Sequence, residues 1–284
     1  MGTRLELIPV GEWNIFPEGK APMLIAGPCS AESESQVMQT AEGLRALGVN
    51  VFRAGIWKPR THPNTFEGAG APALQWLRRV QEELGMKVVA EVAGEKHVCD
   101  CIKSGVDMVW IGARTTANPF LVQEIADALK GTDIPVLVKN PVSPDIDLWI
   151  GALERLNQAG VKKLGVVHRG FSTGEKSRYR NEPLWQIAVE LRTRYPELPF
   201  FADPSHIGGS REYLHELSQR ALDLGLDGLM IESHCDPASA KSDAGQQVTP
   251  EDFGKLISGL VVRKADSDSP EYKENIDQLR EQID

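Results

Sequence analysis

The chain has little that would take it to a membrane, a nucleic acid or an oxidising compartment. No apolar run approaches the roughly 18 residues of a membrane-spanning helix. Basic residues are outnumbered: 31 Lys and Arg stand against 40 Asp and Glu, with a net charge of −9. Nucleic acid and anionic membrane surfaces are therefore poor partners. The opening residues, Met1-Gly2-Thr3-Arg4-Leu5-Glu6, lack the basic-then-apolar pattern of a signal peptide. There are only four cysteines, Cys29, Cys99, Cys101 and Cys235. Without a secretory signal, free thiols or metal ligation are expected rather than disulfides. These absences together predict a cytoplasmic protein. Compact zinc-finger spacing is missing, and no Gly-rich dinucleotide fingerprint follows the first apolar run.

What is present is regular. The 284 residues are 41% hydrophobic and 25% charged, which is enough for one large core. From Met23 onward short apolar runs alternate with amphipathic helical stretches. Strands are expected at Met23–Ala26, Val49–Arg53, Lys87–Val92, Met108–Ile111, Pro135–Lys139, Lys163–His168, Pro199–Ala202 and Gly228–Glu232. Helices are expected at Ser35–Leu47, Ala71–Leu84, Glu95–Lys103, Pro119–Leu129, Asp145–Gln158, Pro183–Arg194, Arg211–Leu224 and Pro250–Val261. The runs are nearly continuous in apolar residues, as in parallel strands buried on both faces. Eight β–α units in this length predict an α/β fold, a TIM (β/α)8 barrel over residues 23–262. Residues 1–22 contain Leu5-Glu6-Leu7-Ile8-Pro9-Val10 and read as a short N-terminal strand or hairpin. Residues 263–284 read as a polar linker and the start of a helix, with Ile276, Leu279 and Ile283 at helical spacing.

In such a barrel the chemistry belongs at the C-terminal ends of the strands. The expected exits carry Gly27-Pro28-Cys29-Ser30, Arg53-Ala54-Gly55-Ile56-Trp57-Lys58-Pro59-Arg60-Thr61, Glu91, Gly112-Ala113-Arg114-Thr115, Lys139-Asn140-Pro141, His168-Arg169-Gly170, Asp203-Pro204-Ser205-His206 and Glu232-Ser233-His234-Cys235. Lys241-Ser242-Asp243 lies in the loop after the last. Two chemical sets stand out. Arg53, Lys58, Arg60, Arg114, Lys139 and Arg169 are cations that, brought to one mouth, would hold a multiply anionic substrate such as a phosphate. The competing reading pairs each with a carboxylate. Cys29, His206, Glu232 and Asp243 are donors suited to a divalent transition metal rather than Mg²⁺. Taken singly, Cys29 reads equally as a buried thiol and His206 as a core histidine. In a closed barrel the exits of the first, seventh and eighth strands are neighbours, which favours the metal. Cys99 and Cys101 read as packing, and His62, His97 and His234 receive no ligand role.

These motifs, over roughly Met23 to Val262, resemble those of the type I 3-deoxy-D-arabino-heptulosonate 7-phosphate (DAHP) synthases, β subgroup. The resemblance implies a TIM barrel. It implies an enzyme that condenses phosphoenolpyruvate with erythrose 4-phosphate and water, releasing phosphate, at the entry to the shikimate route. It implies Cys29, His206, Glu232 and Asp243 as ligands of a Mn, Fe, Co or Zn type ion. Arg114, Lys139 and Arg169, with the Ala113 backbone, match the phosphoenolpyruvate phosphate grip. Arg53 and Lys139 match the carboxylate partners, and Lys58 stands between the two substrates. Arg60 and Thr61 match the erythrose phosphate site, and Glu91 a carboxylate near the reacting alkene and its water. Lys58, Glu91, Cys29 and His206 are thus the expected catalytic groups. By the same resemblance a homo-oligomer is expected, and the tail Ile276–Asp284 is similar to the first turns of an all-helical chorismate mutase domain, the rest of which is missing here. Two readings compete. One is 3-deoxy-D-manno-octulosonate 8-phosphate synthase, whose relatives carry Lys-Ala-Asn-Arg-Ser where this chain has Lys58-Pro59-Arg60-Thr61. The other is a non-catalytic regulatory barrel, against which stands the full set of polar exits.

Overall fold

Successive side chains of a strand face opposite sides, so a strand covered on both faces is apolar at every position. Eight stretches meet that condition over most of their length, with charged or polar residues mainly near their C-terminal ends. In the computed structural model they pair in sequence order, all parallel, and close: β1 Met23–Gly27, β2 Val51–Ala54, β3 Lys87–Val92, β4 Met108–Ile111, β5 Val136–Lys139, β6 Leu164–His168, β7 Phe200–Ala202 and β8 Gly228–Glu232. The closure runs from Met23 opposite Gly228 to Gly27 opposite Glu232. The structure describes residues 4–19, 22–58, 65–174, 176–262, 273, 274 and 276–278.

Eight outer helices follow the strands: α1 Glu34–Ala46, α2 Ala73–Leu84, α3 Glu95–Lys103, α4 Pro119–Ala128, α5 Ile146–Gln158, α6 Trp185–Arg194, α7 Leu214–Asp223 and α8 Pro250–Ser258. Local chemistry starts several of them. The side chains of Ser33, Asn118, Asp145 and Thr249 accept hydrogen bonds from the first-turn amides of α1, α4, α5 and α8. Each such cap is worth about 1 kcal/mol. The outward strand positions, Phe52, Val88, Val109, Val138, Val166, Phe200 and Ile231 among them, join the helices in one buried cluster. The inward positions Ile25, Val51, Val89, Met108, Leu137, Val167, Phe201 and Met230 form a second cluster that fills the barrel.

The expected N-terminal strand or hairpin is corrected. Among the described residues before β1 there is no strand, only a 3₁₀ turn at Val10–Trp13. A closed barrel offers no free edge for a further strand to join. The segment instead closes the barrel floor: Trp13 and Ile15 are buried in the inner cluster, and Trp13 Nε1 donates to Ile8 O at 2.9 Å. Gly165 makes room, since a Cβ there would stand 3.3 Å from the Trp13 ring. At the other end α8 stops at Ser258, short of the expected Val261, and Val261 and Val262 are exposed. The expected linker, residues 263–270, lies outside the described residues. Residues 273, 274 and 276–278 are helical, and Ile276 packs on the outer cluster.

Candidate active site

The inward face that is apolar at mid-barrel becomes charged one step higher. Two residues beyond Val51, Val89, Leu137, Val167, Phe201 and Met230 come Arg53, Glu91, Lys139, Arg169, Asp203 and Glu232. The same period of two that fills the barrel therefore also builds its mouth. Trp110 is the floor of this polar layer, with the Arg53 guanidinium 4.9 Å and the Lys139 ammonium 5.8 Å from its ring centroid. Gly112 is needed beside it: a Cβ there would collide with the Glu91 carboxylate.

A cavity of about 340 Å³ opens on this layer. Cys29, Arg53, Lys58, Glu91, Ala113, Arg114, Lys139, Arg169, His206 and Asp243 all line it. Among the expected cations, Arg53 and Lys139 carry carboxylate partners. Arg53 Nη2 lies 3.2 Å from Glu232 Oε1, and Lys139 Nζ lies 2.6 Å from Asp203 Oδ2, all four side chains being buried. Removing one member of such a pair costs about 3–5 kcal/mol, because the other charge is left alone in a dry site. Burial pushes the Lys139 ammonium below its usual range against the pull of Asp203. Burial, with Arg180 and Arg114 nearby, pushes Arg169 down to about 10 against the pull of Asp203. Cations so crowded are stabilised by any anion that enters. Arg60 and Thr61 lie outside the described residues.

Three of the four expected metal ligands, Cys29, Glu232 and Asp243, meet at the side of the cavity beside β1 and β8, and His206 lies outside that group but next to Glu232. One donor atom each from Cys29, Glu232 and Asp243 lie within 4.8 Å of one another. Cys29 Sγ is 3.3 Å from Asp243 Oδ2, and His206 Nε2 is 3.7 Å from Glu232 Oε1. Glu232 Oε1 is buried and accepts no hydrogen bond, its neighbours being the Arg53 guanidinium at 3.2 Å and the His206 ring at 3.7 Å. A thiol, an imidazole and two carboxylates at this separation fit a divalent transition metal. Burial, then Glu232 and Asp243, push the Cys29 thiol up to about 12, so without a cation it stays protonated. The chemistry of the donor set thus fits such an ion.

Several groups that hold the site were not singled out from the sequence. Asp203 is a hub: beside Lys139 it meets His206 Nδ1 at 2.8 Å and caps the short helix Pro204–Gly208 by accepting from His206 N at 3.0 Å. Burial opposes its charge, but His206, Lys139 and Arg53 hold it well below the carboxylate range. Its place in Asp203-Pro204-Ser205-His206, an N-cap before a proline, was the available signal. Gln246 Nε2 donates to Glu232 Oε2 at 2.7 Å, and Gln247 Oε1 accepts from Cys29 N at 2.9 Å. Arg180 Nη1 donates to both Asp243 Oδ1 and Gln246 Oε1 at 2.8 Å. Asn140 Oδ1 accepts from Arg169 N at 2.7 Å. His97 stacks on Trp57, ring centroids 4.0 Å apart and ring planes nearly parallel, at the root of the loop carrying Lys58. His168, although beside Arg169, faces outward: it packs on Phe171 and Trp185, and burial pushes it down to about 3.

Comparison with known proteins agrees with this geometry. The DAHP synthetase I family matches residues 12–263. The chain is 35% identical over 237 residues to a phospho-2-dehydro-3-deoxyheptonate aldolase of Thermotoga maritima, covering 84% of this chain and 68% of that protein. A 2-dehydro-3-deoxyphosphooctonate aldolase of Desulfotalea psychrophila is 30% identical over 280 residues, covering 90% of this chain and 95% of that one. The crystal structure of the Thermotoga maritima DAHP synthase superposes with a TM-score of 0.78 at 32% identity, covering 97% of this chain and 74% of that one.

Proposed function

Because the chain belongs to the DAHP synthetase I family, we propose that it condenses phosphoenolpyruvate with erythrose 4-phosphate and water, giving 3-deoxy-D-arabino-heptulosonate 7-phosphate and phosphate. One observation carries this reading: a cation cluster and a thiol–imidazole–carboxylate set face one cavity at the C-terminal mouth of the barrel. Arg114, Lys139 and Arg169, with the Ala113 amide, hold the phosphoenolpyruvate phosphate, and Arg53 and Lys139 its carboxylate. Both substrates being held, the reaction gains the proximity of an intramolecular one. Cys29, His206, Glu232 and Asp243 would hold a Mn, Fe, Co or Zn type ion, which when bound supplies Lewis acidity to the aldehyde.

The chain's own groups account for the protons. The alkene carbon of phosphoenolpyruvate attacks the aldehyde carbon, and Lys58 provides positive charge and a proton for the new hydroxyl. Positive charge develops at the enol-phosphate carbon. Water adds there, Glu91 accepts its proton, and phosphate leaves from the resulting hemiketal. Arg60 and Thr61 grip the phosphate of erythrose 4-phosphate. We place the chain in the β subgroup, and read the residues after 262 as similar to the opening of a chorismate mutase domain. We read it as a homo-oligomer acting in the cytoplasm, supported there by four free cysteines. Among the described residues no helix is long and apolar enough to cross a membrane.

The 30%-identical octulosonate relative gives the second reading its weight. Phosphate release from phosphoenolpyruvate, assayed with erythrose 4-phosphate and with arabinose 5-phosphate, each with and without chelator, tests both. We expect turnover with the four-carbon sugar, lost on chelation. Preference for arabinose 5-phosphate would establish the second reading, and no turnover with either would point to a non-catalytic barrel.

A further inference from the structure

The loop between β6 and α6 does more than supply Arg169. It leaves the barrel at Gly170 and returns over the mouth, where Phe171 and Glu182 exchange two backbone hydrogen bonds of 2.8 Å. Its returning arm lies against the short helix Pro204–Gly208: Arg180 N donates to Gly208 O at 3.2 Å and Asn181 N to Ile207 O at 3.1 Å. Asn181 is 7% exposed, and its amide joins two parts of the site. Its Oδ1 accepts from Arg169 Nη1 at 2.7 Å, and its Nδ2 donates to His206 O at 2.7 Å. A guanidinium can only donate and a carbonyl can only accept, so the partners themselves assign the amide orientation. Gly170 allows the approach, since its φ is +76° and a Cβ there would stand 2.9 Å from Asn181 Cβ.

We propose that Asn181 is a positioning residue that couples the anion grip to the metal ligands, through Arg169 on one side and the His206 backbone on the other. This rests on the functional reading above. A phosphate drawn to Arg169 pulls on the guanidinium that Asn181 holds. Asn181 in turn holds the helix that presents the His206 imidazole 3.7 Å from Glu232. The neighbouring residue works on the same ligands, for Arg180 binds Asp243 and also Gln246, which binds Glu232. The amide serves both partners at once, its oxygen accepting from the guanidinium and its nitrogen donating to the carbonyl. By linkage, the factor by which metal tightens phosphoenolpyruvate binding equals the factor by which phosphoenolpyruvate tightens metal binding.

The test uses Co²⁺ as the metal, read by its thiolate charge-transfer absorption, and phosphoenolpyruvate binding read by calorimetry with and without Co²⁺. In Asn181→Ala we expect Co²⁺ affinity to fall about tenfold or more. We expect the linkage factor between the two ligands to fall at least about fivefold. Asn181→Asp keeps the shape and the acceptor for Arg169 but sets an oxygen against His206 O, so it loses Co²⁺ affinity to a similar degree and covers the case in which the alanine variant fails to fold. A wild-type linkage factor in either folded variant overturns the proposal, whatever its melting temperature. Failure of the wild-type protein to bind phosphoenolpyruvate at all would bring down the functional reading and this proposal together.

Discussion

The mid-barrel layer and the mouth are made from the same strands, two residues apart, and with the floor beneath it that layer does the opposite of what the mouth does. At the floor and mid-barrel Trp13, Ile15, Val51, Leu137, Phe201 and Met230 pack without a charge among them. At the mouth Arg53, Lys139, Asp203 and Glu232 are just as buried but are held by ion pairs. The floor contributes stability by excluding water from apolar surface. The mouth gains little net stability from its pairs, since desolvation offsets most of their attraction. On the proposed function these charges meet ligands. Substitutions at the floor should therefore act on stability with turnover of the folded protein unchanged, and substitutions at the mouth on turnover, with a loss of stability as well where the partner of a buried ion pair is left alone.

The largest effect is expected at Cys29. Cys29→Ala should lower kcat by about a thousandfold or more, since it removes the thiolate ligand, while the melting temperature hardly moves. Trp13→Ala is the opposite case. It should destabilise by about 3 kcal/mol or more in denaturant titration, with kcat/KM of the folded protein unchanged. A Trp13 variant that folds stably but is catalytically dead would break the division between floor and mouth. Arg169→Ala should raise the Michaelis constant for phosphoenolpyruvate about thirtyfold, consistent with one lost hydrogen-bonded charge.

His168 tests the division by pH. Its folded pKa is depressed to about 3 by burial. Between that value and its unfolded pKa the unfolded chain binds the extra proton, so stability is full above the unfolded value and is lost as pH falls. At pH 5 the loss amounts to about 2 kcal/mol. His168→Leu should flatten the stability profile between pH 6.5 and 4; an unchanged slope would show that His168 is not the group responsible. The smallest effect is set at Arg60. Arg60→Ala should raise the Michaelis constant for erythrose 4-phosphate about tenfold and leave that for phosphoenolpyruvate nearly unchanged. Equal changes would show that the two anion sites are not divided between Arg60 and Arg169.

The barrel was legible because both faces of each strand are buried, so Val88-Val89-Ala90 or Met108-Val109-Trp110-Ile111 is apolar throughout. The site residues were legible because they stand where those runs stop. What was not legible depends on pairing across the barrel. Nothing in the order of residues says that Asp203 meets Lys139, 64 positions away, or that Asn181 joins Arg169 to His206. Leu5-Glu6-Leu7-Ile8 alternates like a strand, but strand formation needs an edge, and the closed barrel has none. His168 sits in a charged motif and yet faces outward, because it is one residue out of phase with Val167 and Arg169.

The central claim is that the mouth brings a metal set and an anion grip to one condensation. Phosphate release from phosphoenolpyruvate and erythrose 4-phosphate, measured on wild-type and Cys29→Ala proteins before and after metal stripping and reloading, tests it most directly. Turnover is expected in the wild-type protein, lost on stripping and restored by a divalent transition metal, and none is expected in the variant in either state. Full turnover by metal-stripped Cys29→Ala protein would contradict it.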